Sequence, residues 1–165
     1  MRIPRVFEDQ SLKLGEEIVL GEFASQHLGR ALRMKPGYLV ILFNGQGGEY
    51  KAELTQVSKK QVCARITDFS DTVVESPLNI HLGQCLSRGE RMDYAVQKAT
   101  ELGVSKITPL FSERCEVKLN AERQGKRVQH WQQVAVSASE QSLRCQVPDI
   151  HTPKTLQSWL DETDS

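Results

Sequence analysis

No stretch of this sequence holds the roughly 18 to 20 consecutive apolar residues that a membrane-spanning helix needs. The opening MRIPRVF also lacks the apolar core and small-residue cleavage site of a secretory leader. These two absences predict a cytoplasmic protein with no membrane partner. Cysteine is scarce: Cys63, Cys85, Cys115 and Cys145 are spread along 165 residues with no C-x-x-C pair. That spacing argues against a zinc ribbon or a disulfide framework and predicts free, mostly buried thiols. His27, His81, His130 and His151 never recur at i, i+4, so no metal site is expected. The phosphate-binding patterns G-x-G-x-x-G and G-K-[ST] are missing, as is the G-x-S-x-G nucleophile elbow. Neither a dinucleotide fold, a P-loop nor a serine hydrolase is licensed. Charge of one sign is missing too, since 21 basic residues balance 21 acidic ones. Attraction to nucleic acid would have to come from local patches rather than from the field of the whole molecule.

What is present is a change of rhythm. Residues 1–70 carry short runs rich in β-branched and aromatic residues: RVF at Arg5 to Phe7, EEIVLG, YLVILFN at Tyr38 to Asn44, EYKAELTQV and QVCARITDF. Glycine turns separate them, above all Gly45 to Gly48, and one short helix is expected from Phe23 to Leu32. Such spacing predicts a small barrel or sandwich. The polar stretch DFSDTVVESP, Asp68 to Pro77, reads as a boundary. Beyond it, over 77–165, strands alternate with long helices. LNIHLGQCL and SKITPLFS are strand candidates. GERMDYAVQKATELGV places Met92, Ala95, Val96, Ala99 and Leu102 on one helical face and stops at Gly103, where positive φ is wanted. A second helix is expected from about Ala121 to Leu143, with Val128, Trp131, Ala135, Ala138 and Ser142 in a stripe. A third strand is possible at Val147 to Ile150, and a last helical piece at Thr155 to Leu160. Strand, helix, strand, helix implies a parallel sheet, here a small one.

Several polar clusters could carry chemistry. HLGRALRMKPG puts Arg30, Arg33 and Lys35 on and just after the short helix, where they could hold phosphates or simply suit the helix C-terminus. Ser87 to Gly89 leaves a strand and opens a helix, which is where open α/β sheets bind ligands. On that helix Lys98 and Glu101 stand three apart and could pair with each other. Arg114 follows the next strand and would converge with Arg88 if the strands are neighbours, although a loop arginine is structural or solvent-facing at least as often. Glu140, Gln141 and Arg144 end the long helix, and they could face a cleft or form an ordinary solvated turn.

Taken together, MRIPRVF, HLGRALRM, HLGQCLSRGERMDYAVQKATELGVSKITPLFSERC, WQQVAVSASEQS and VPDI closely resemble the ribosomal RNA small subunit methyltransferase E family, in order and over essentially the whole chain. The resemblance implies an α+β and α/β architecture. A PUA-like β-barrel that binds RNA would occupy 1–70, and the N-terminal part of a SPOUT-type α/β methyltransferase domain would occupy 77–165. It implies methylation of N3 of a uridine in 16S ribosomal RNA within the small subunit, with S-adenosylmethionine as cofactor and a homodimer as the working form. It further implies RNA contacts from Arg5, Arg30, Arg33, Lys35 and Arg88, and catalytic roles for Arg114 and Glu140. Lys98, Glu101, Gln141 and Arg144 would support the cleft. The family's G-P-E-G-G cofactor loop is not in this sequence and would lie beyond Ser165, so no cofactor-binding residue is expected here. Leu143 and Glu116 stand where the family favours glycine and a small residue. A non-catalytic RNA-binding or ribosome-assembly module that keeps the barrel is the competing reading. A second domain of this size predicts an exposed sheet edge and a tendency to aggregate or swap.

Overall fold

A computed structural model describes residues 3–71, 75–113 and 120–163. The chain divides into two units, Met1–Val74 and Glu75–Ser165. In the first, the short β-rich runs become β1 (Arg5–Phe7), β2 (Glu17–Val19), β3 (Leu39–Phe43), β4 (Glu49–Val57) and β5 (Val62–Ser70). They form one sheet in the order β1-β3-β4-β5-β2, parallel only between β1 and β3. Alternate residues of all five strands, among them Val6, Ile18, Val40, Leu54 and Ile66, meet in a single core with Leu28. The sheet therefore curls around that core. No pairing between β1 and β2 closes it among the described residues, so the barrel is an open one.

The expected helix over Phe23 to Leu32 is instead two pieces. A short α1 (Glu22–Gln26) runs into a π-helical turn (His27–Ala31), closed by Leu32 N donating to His27 O at 2.9 Å. The wider turn keeps Leu28 fully buried while Arg30 stays exposed. It ends at Arg33, which has a φ of 50°, a left-handed conformation that strains a non-glycine residue.

Glu8 is the one buried carboxylate in the first unit's core, at 3% exposure. It accepts hydrogen bonds from Gly21 N at 3.0 Å and from Gln10 Nε2 at 2.7 Å. Burial, the dominant influence, pushes its carboxyl above the ordinary value of 4.5, and those two hydrogen bonds pull the other way. The folded chain thus keeps a proton that the unfolded chain releases. Stability contributed here falls as pH rises from 4.5 through the raised folded value. In thermal unfolding across that window, the native protein should lose stability relative to Glu8→Gln; parallel curves would exclude this account.

The second unit is a parallel sheet, with β7 (Lys106–Phe111) between β6 (His81–Cys85) on one side and β8 (Asp149–Ile150) and β9 (Lys154–Thr155) on the other. The strand expected over LNIHLGQCL shortens to β6, and β9 had no signal in the sequence. One face is covered by α2 (Glu90–Glu101) and α3 (Ala121–Ser142), where Met92, Val96, Trp131 and Ala135 pack on Ile107 and Ile150. Leu102, expected on that buried face, is 84% exposed. The helix stops one residue too soon for it: Gly103 turns left-handed at φ 97°, Val104 N closes on Ala99 O, and Val104 fills the site. Ser139 rather than Ser142 is buried on α3. Of the described cysteines Cys63 and Cys145 are buried, but Cys85, at the end of β6, is exposed.

The strand period of two sends His81, Gly83 and Thr108 to the opposite face, towards α4 (Leu156–Thr163). A Cβ on Gly83 would lie 2.7 Å from the Trp159 ring, so only glycine lets that ring come this close to the strand. The buried Thr108 hydroxyl contacts His81 Nε2 at 2.7 Å and His151 Nδ1 at 3.1 Å. Burial first, then the charge of His151, holds His81 below the usual imidazole value. Among the described residues no helix is long and apolar enough to cross a membrane.

Candidate functional site

Because β6 and β7 are paired neighbours in parallel register, Cys85 beside Leu110, their carboxyl ends emerge side by side. Leu86 N donates to Leu110 O at 2.9 Å and holds the two exits together. The loop Ser87–Gly89 leaves β6 here, with Arg88 exposed and Gly89 at φ 55° immediately before α2. Ser112 and Glu113 leave β7 next to it. Arg114, together with Cys115 and Glu116, lies outside the described residues.

Beside the β7 exit a groove of about 650 Å³ is lined by Phe111, Ser112, Glu113, Leu156, Gln157 and Leu160. Of its polar side chains, Gln157 donates to Asp161. Glu113 supplies one carboxylate that would suit a sulfonium cation. No described side chain is placed to grip both the adenine edge and the amino-acid head of S-adenosylmethionine. The residues present do not by themselves fit that cofactor. Among the described residues no group of three histidine, cysteine or acidic side chains could hold a metal ion.

The cleft residues separate into two groups. Gln141 lines a groove of about 350 Å³ between α2 and α3 with Asp93, Gln97, His130, Gln133 and Ser137. Across that groove His130 Nε2 stands 2.8 Å from Asp93 Oδ2, a contact that the sequence reading did not anticipate. Glu140, half-buried, precedes Gln141 on the last turn of α3. Lys98 pairs with Glu101 at 2.8 Å, and that bond is the main reason the ammonium holds its proton more tightly than usual. Arg144 is placed otherwise. Its guanidinium is ion-paired with Glu75, both side chains being 12% exposed, and it lies against the Gly103 turn. Glu75 Oε1 also accepts from Cys145 N at 2.8 Å and Gln146 N at 3.1 Å. One carboxylate thus ties the start of the second unit to the end of α3.

In the first unit, Arg5 is turned inward. Its side chain is 6% exposed, bonded to Glu49 at 3.1 Å and seated 4.7 Å from the centre of the Phe43 ring. Arg30, Arg33 and Lys35 are exposed. Arg30 sits in a pocket whose other wall carries Lys59 and Lys60. Sequence reasoning missed these two lysines, although the run SKKQ between two strands was the available signal.

Residues 74–165 match the family described as an RNA methyltransferase domain, and residues 24–67 match the RNA methyltransferase PUA domain. Over 162 residues the chain is 33% identical to the ribosomal RNA small subunit methyltransferase E of Buchnera aphidicola subsp. Schizaphis graminum, covering 98% of this chain and 66% of that protein. The Bacillus subtilis protein of the same name is 30% identical, with 91% and 57% covered. Among solved structures, the ribosomal RNA small subunit methyltransferase E of Neisseria gonorrhoeae bound to S-adenosyl methionine superposes with a TM-score of 0.93 at 40% identity, covering 98% of this chain and 66% of that one. A Legionella pneumophila methyltransferase in complex with the same cofactor gives 0.95 at 40% identity, with 98% and 67% covered. The chain therefore spans 57 to 67% of the length of these relatives.

Proposed function

Since this chain belongs to the ribosomal RNA small subunit methyltransferase E family, we propose that it forms the RNA-binding barrel and the first part of the catalytic domain of a cytoplasmic enzyme that methylates N3 of a uridine in 16S ribosomal RNA. S-adenosylmethionine is the methyl donor in this reading, and the working form is a homodimer. The observation that carries it is the match to the Neisseria gonorrhoeae structure over 98% of this chain.

The chemistry follows from the substrate. Uridine N3 holds its proton at neutral pH, so transfer needs a base to take that proton and a cation to steady the charge left on the ring oxygens. Glu140 is assigned the first role and Arg114 the second. Arg88 stands at the β6 exit before α2, whereas Glu140 and Gln141 lie at the far end of the two helices. Glu140 therefore serves the uridine ring only where the homodimer brings the two ends together. Lys98 and Glu101, already paired, stiffen α2. Arg30, Arg33 and Lys35 receive RNA phosphates on the barrel.

The test uses a polypeptide of the relatives' full length that contains this chain. Incubated with small ribosomal subunits and radiolabelled S-adenosylmethionine, it should label 16S RNA at one uridine. Because an N3 methyl blocks Watson–Crick pairing, that uridine should stop reverse transcription. Label on another atom, or on protein alone, would sink the proposal.

A further inference from the structure

The pocket beside Arg30 differs from an ordinary basic surface in how it is built. One wall is α1 and the π-helical turn, the other is the connection from β4 to β5, and the volume between them is about 480 Å³. Val57 pairs with Val62, which leaves Ser58, Lys59, Lys60 and Gln61 as a four-residue loop. Ser58 holds that loop rigid. Its backbone N donates to Gln61 O at 2.9 Å, and its hydroxyl accepts from Gln61 N at 3.0 Å and from Lys60 N at 3.3 Å. The two central positions, where a turn projects its side chains furthest, are both lysine.

The floor is equally fixed. Ser25 is buried, and its hydroxyl donates to Leu20 O at 3.0 Å and accepts from Val62 N at 3.3 Å, so α1 is riveted to β5. Arg30 reaches across from the π-helical turn, its Nη2 3.5 Å from Lys59 O. π-Turns of this kind concentrate at functional sites because they aim a side chain that a regular helix would misplace. None of Arg30, Lys59 and Lys60 has an ion-pair partner among the described residues. Glu22 also lines the pocket and accepts from Gln26 at 2.9 Å, so the lining carries three cations against one carboxylate. Three cations therefore face one preformed hollow.

We propose that this hollow is a phosphate cradle for an RNA backbone, in which Lys59 and Lys60 act with Arg30 and the Ser58 loop sets the lysines in position. This rests on the reading of the first unit as an RNA-binding barrel and names the contact through which it binds. Arginine supplies a planar fork for one phosphate, and the lysine pair supplies point charges for that phosphate or the next along the strand. The three cations meet phosphate rather than base edges, so their contact positions RNA without selecting its sequence.

The test follows binding of a labelled RNA stem-loop to the full chain as salt is raised. Each phosphate contact steepens the fall of log affinity with log salt by about 0.7 to 0.9. Lys59→Gln with Lys60→Gln should weaken binding and make that slope shallower by about 1 per lost contact, while Lys59→Arg with Lys60→Arg keeps it. Ser58→Ala removes no charge and should weaken binding with the slope retained. If the native chain binds RNA and the double glutamine variant keeps both affinity and slope, the cradle is wrong and the barrel reading stands. If the native chain binds no RNA, both fail. Inorganic phosphate at matched ionic strength separates a polyanion from a lone ion. RNA should stay bound, and its release beyond what chloride causes would make the hollow a small-anion site instead.

Discussion

Replacing Glu75 with alanine is expected to destabilise the second unit by about 3 to 5 kcal/mol, the range for stripping one partner from a buried ion pair. Glu75 and Arg144 are each only 12% exposed at the side chain, so removing the carboxylate takes this ion pair from a guanidinium that water cannot fully reach. Two backbone donors, Cys145 N and Gln146 N, lose this acceptor in the same step. Gln146 is exposed and turns to water, while the donor on buried Cys145 adds about 1 to 3 kcal/mol within that total. Urea unfolding of the full chain gives the measurement. Glu75→Leu combined with Arg144→Met should recover a large part of the loss, because the pair's own desolvation penalty disappears with it. A loss below about 1 kcal/mol for Glu75→Ala would mean the pair behaves as a surface bridge. The consequence for catalysis is specific: an Arg144 variant should lower activity together with stability, and so should not be scored as a chemical residue.

Glu140→Gln is expected to slow methyl transfer about 10²- to 10⁴-fold, the contribution typical of a positioned general base. RNA affinity should be unchanged, since the carboxylate belongs to the second unit and supplies no phosphate-binding charge. The pH profile decides the role. Without its base the reaction depends on uridine ionised by solvent, so the residual rate should climb as pH rises, where the native rate has already levelled. A native-like rate, or a uniform loss at every pH, would remove Glu140 from proton transfer. Arg114→Ala is the companion. If its single-turnover rate stayed native while RNA binding fell, the arginine would be a phosphate contact instead of a stabiliser of the reacting ring.

Local pattern carried the second unit well and the polar pairings poorly. Met92 and Val96 at i, i+4, and Trp131 and Ala135 likewise, mark faces that bury because apolar area must leave water. Gly103 marked the end of α2 through its backbone freedom. Leu102 was misplaced because periodicity extends a helix by one residue without knowing where the turn closes. Arg144 was equally opaque: its partner Glu75 is distant in sequence, and an arginine after a helix looks the same whether it faces a cleft or a carboxylate. The π-helical turn left no trace in the polarity pattern, since widening a turn changes where Arg30 points without changing which residues are apolar. Lys59 and Lys60 were missed because two lysines in a turn look like any solvated face in the absence of the pocket wall opposite them.

The threonine between the two imidazoles of the second unit has a consequence of its own. A hydroxyl has a single hydrogen to give, so Thr108 can donate to His81 Nε2 or to His151 Nδ1, never to both. Whichever ring receives it must be bare at that nitrogen, and the other ring must supply a hydrogen of its own. When the hydroxyl donates to one ring and accepts from the other, both histidines therefore hold the same tautomer, Nδ1–H if His81 receives the hydrogen and Nε2–H if His151 does. Two side chains remote in sequence thus share one choice of tautomer, set by the way a single hydroxyl turns.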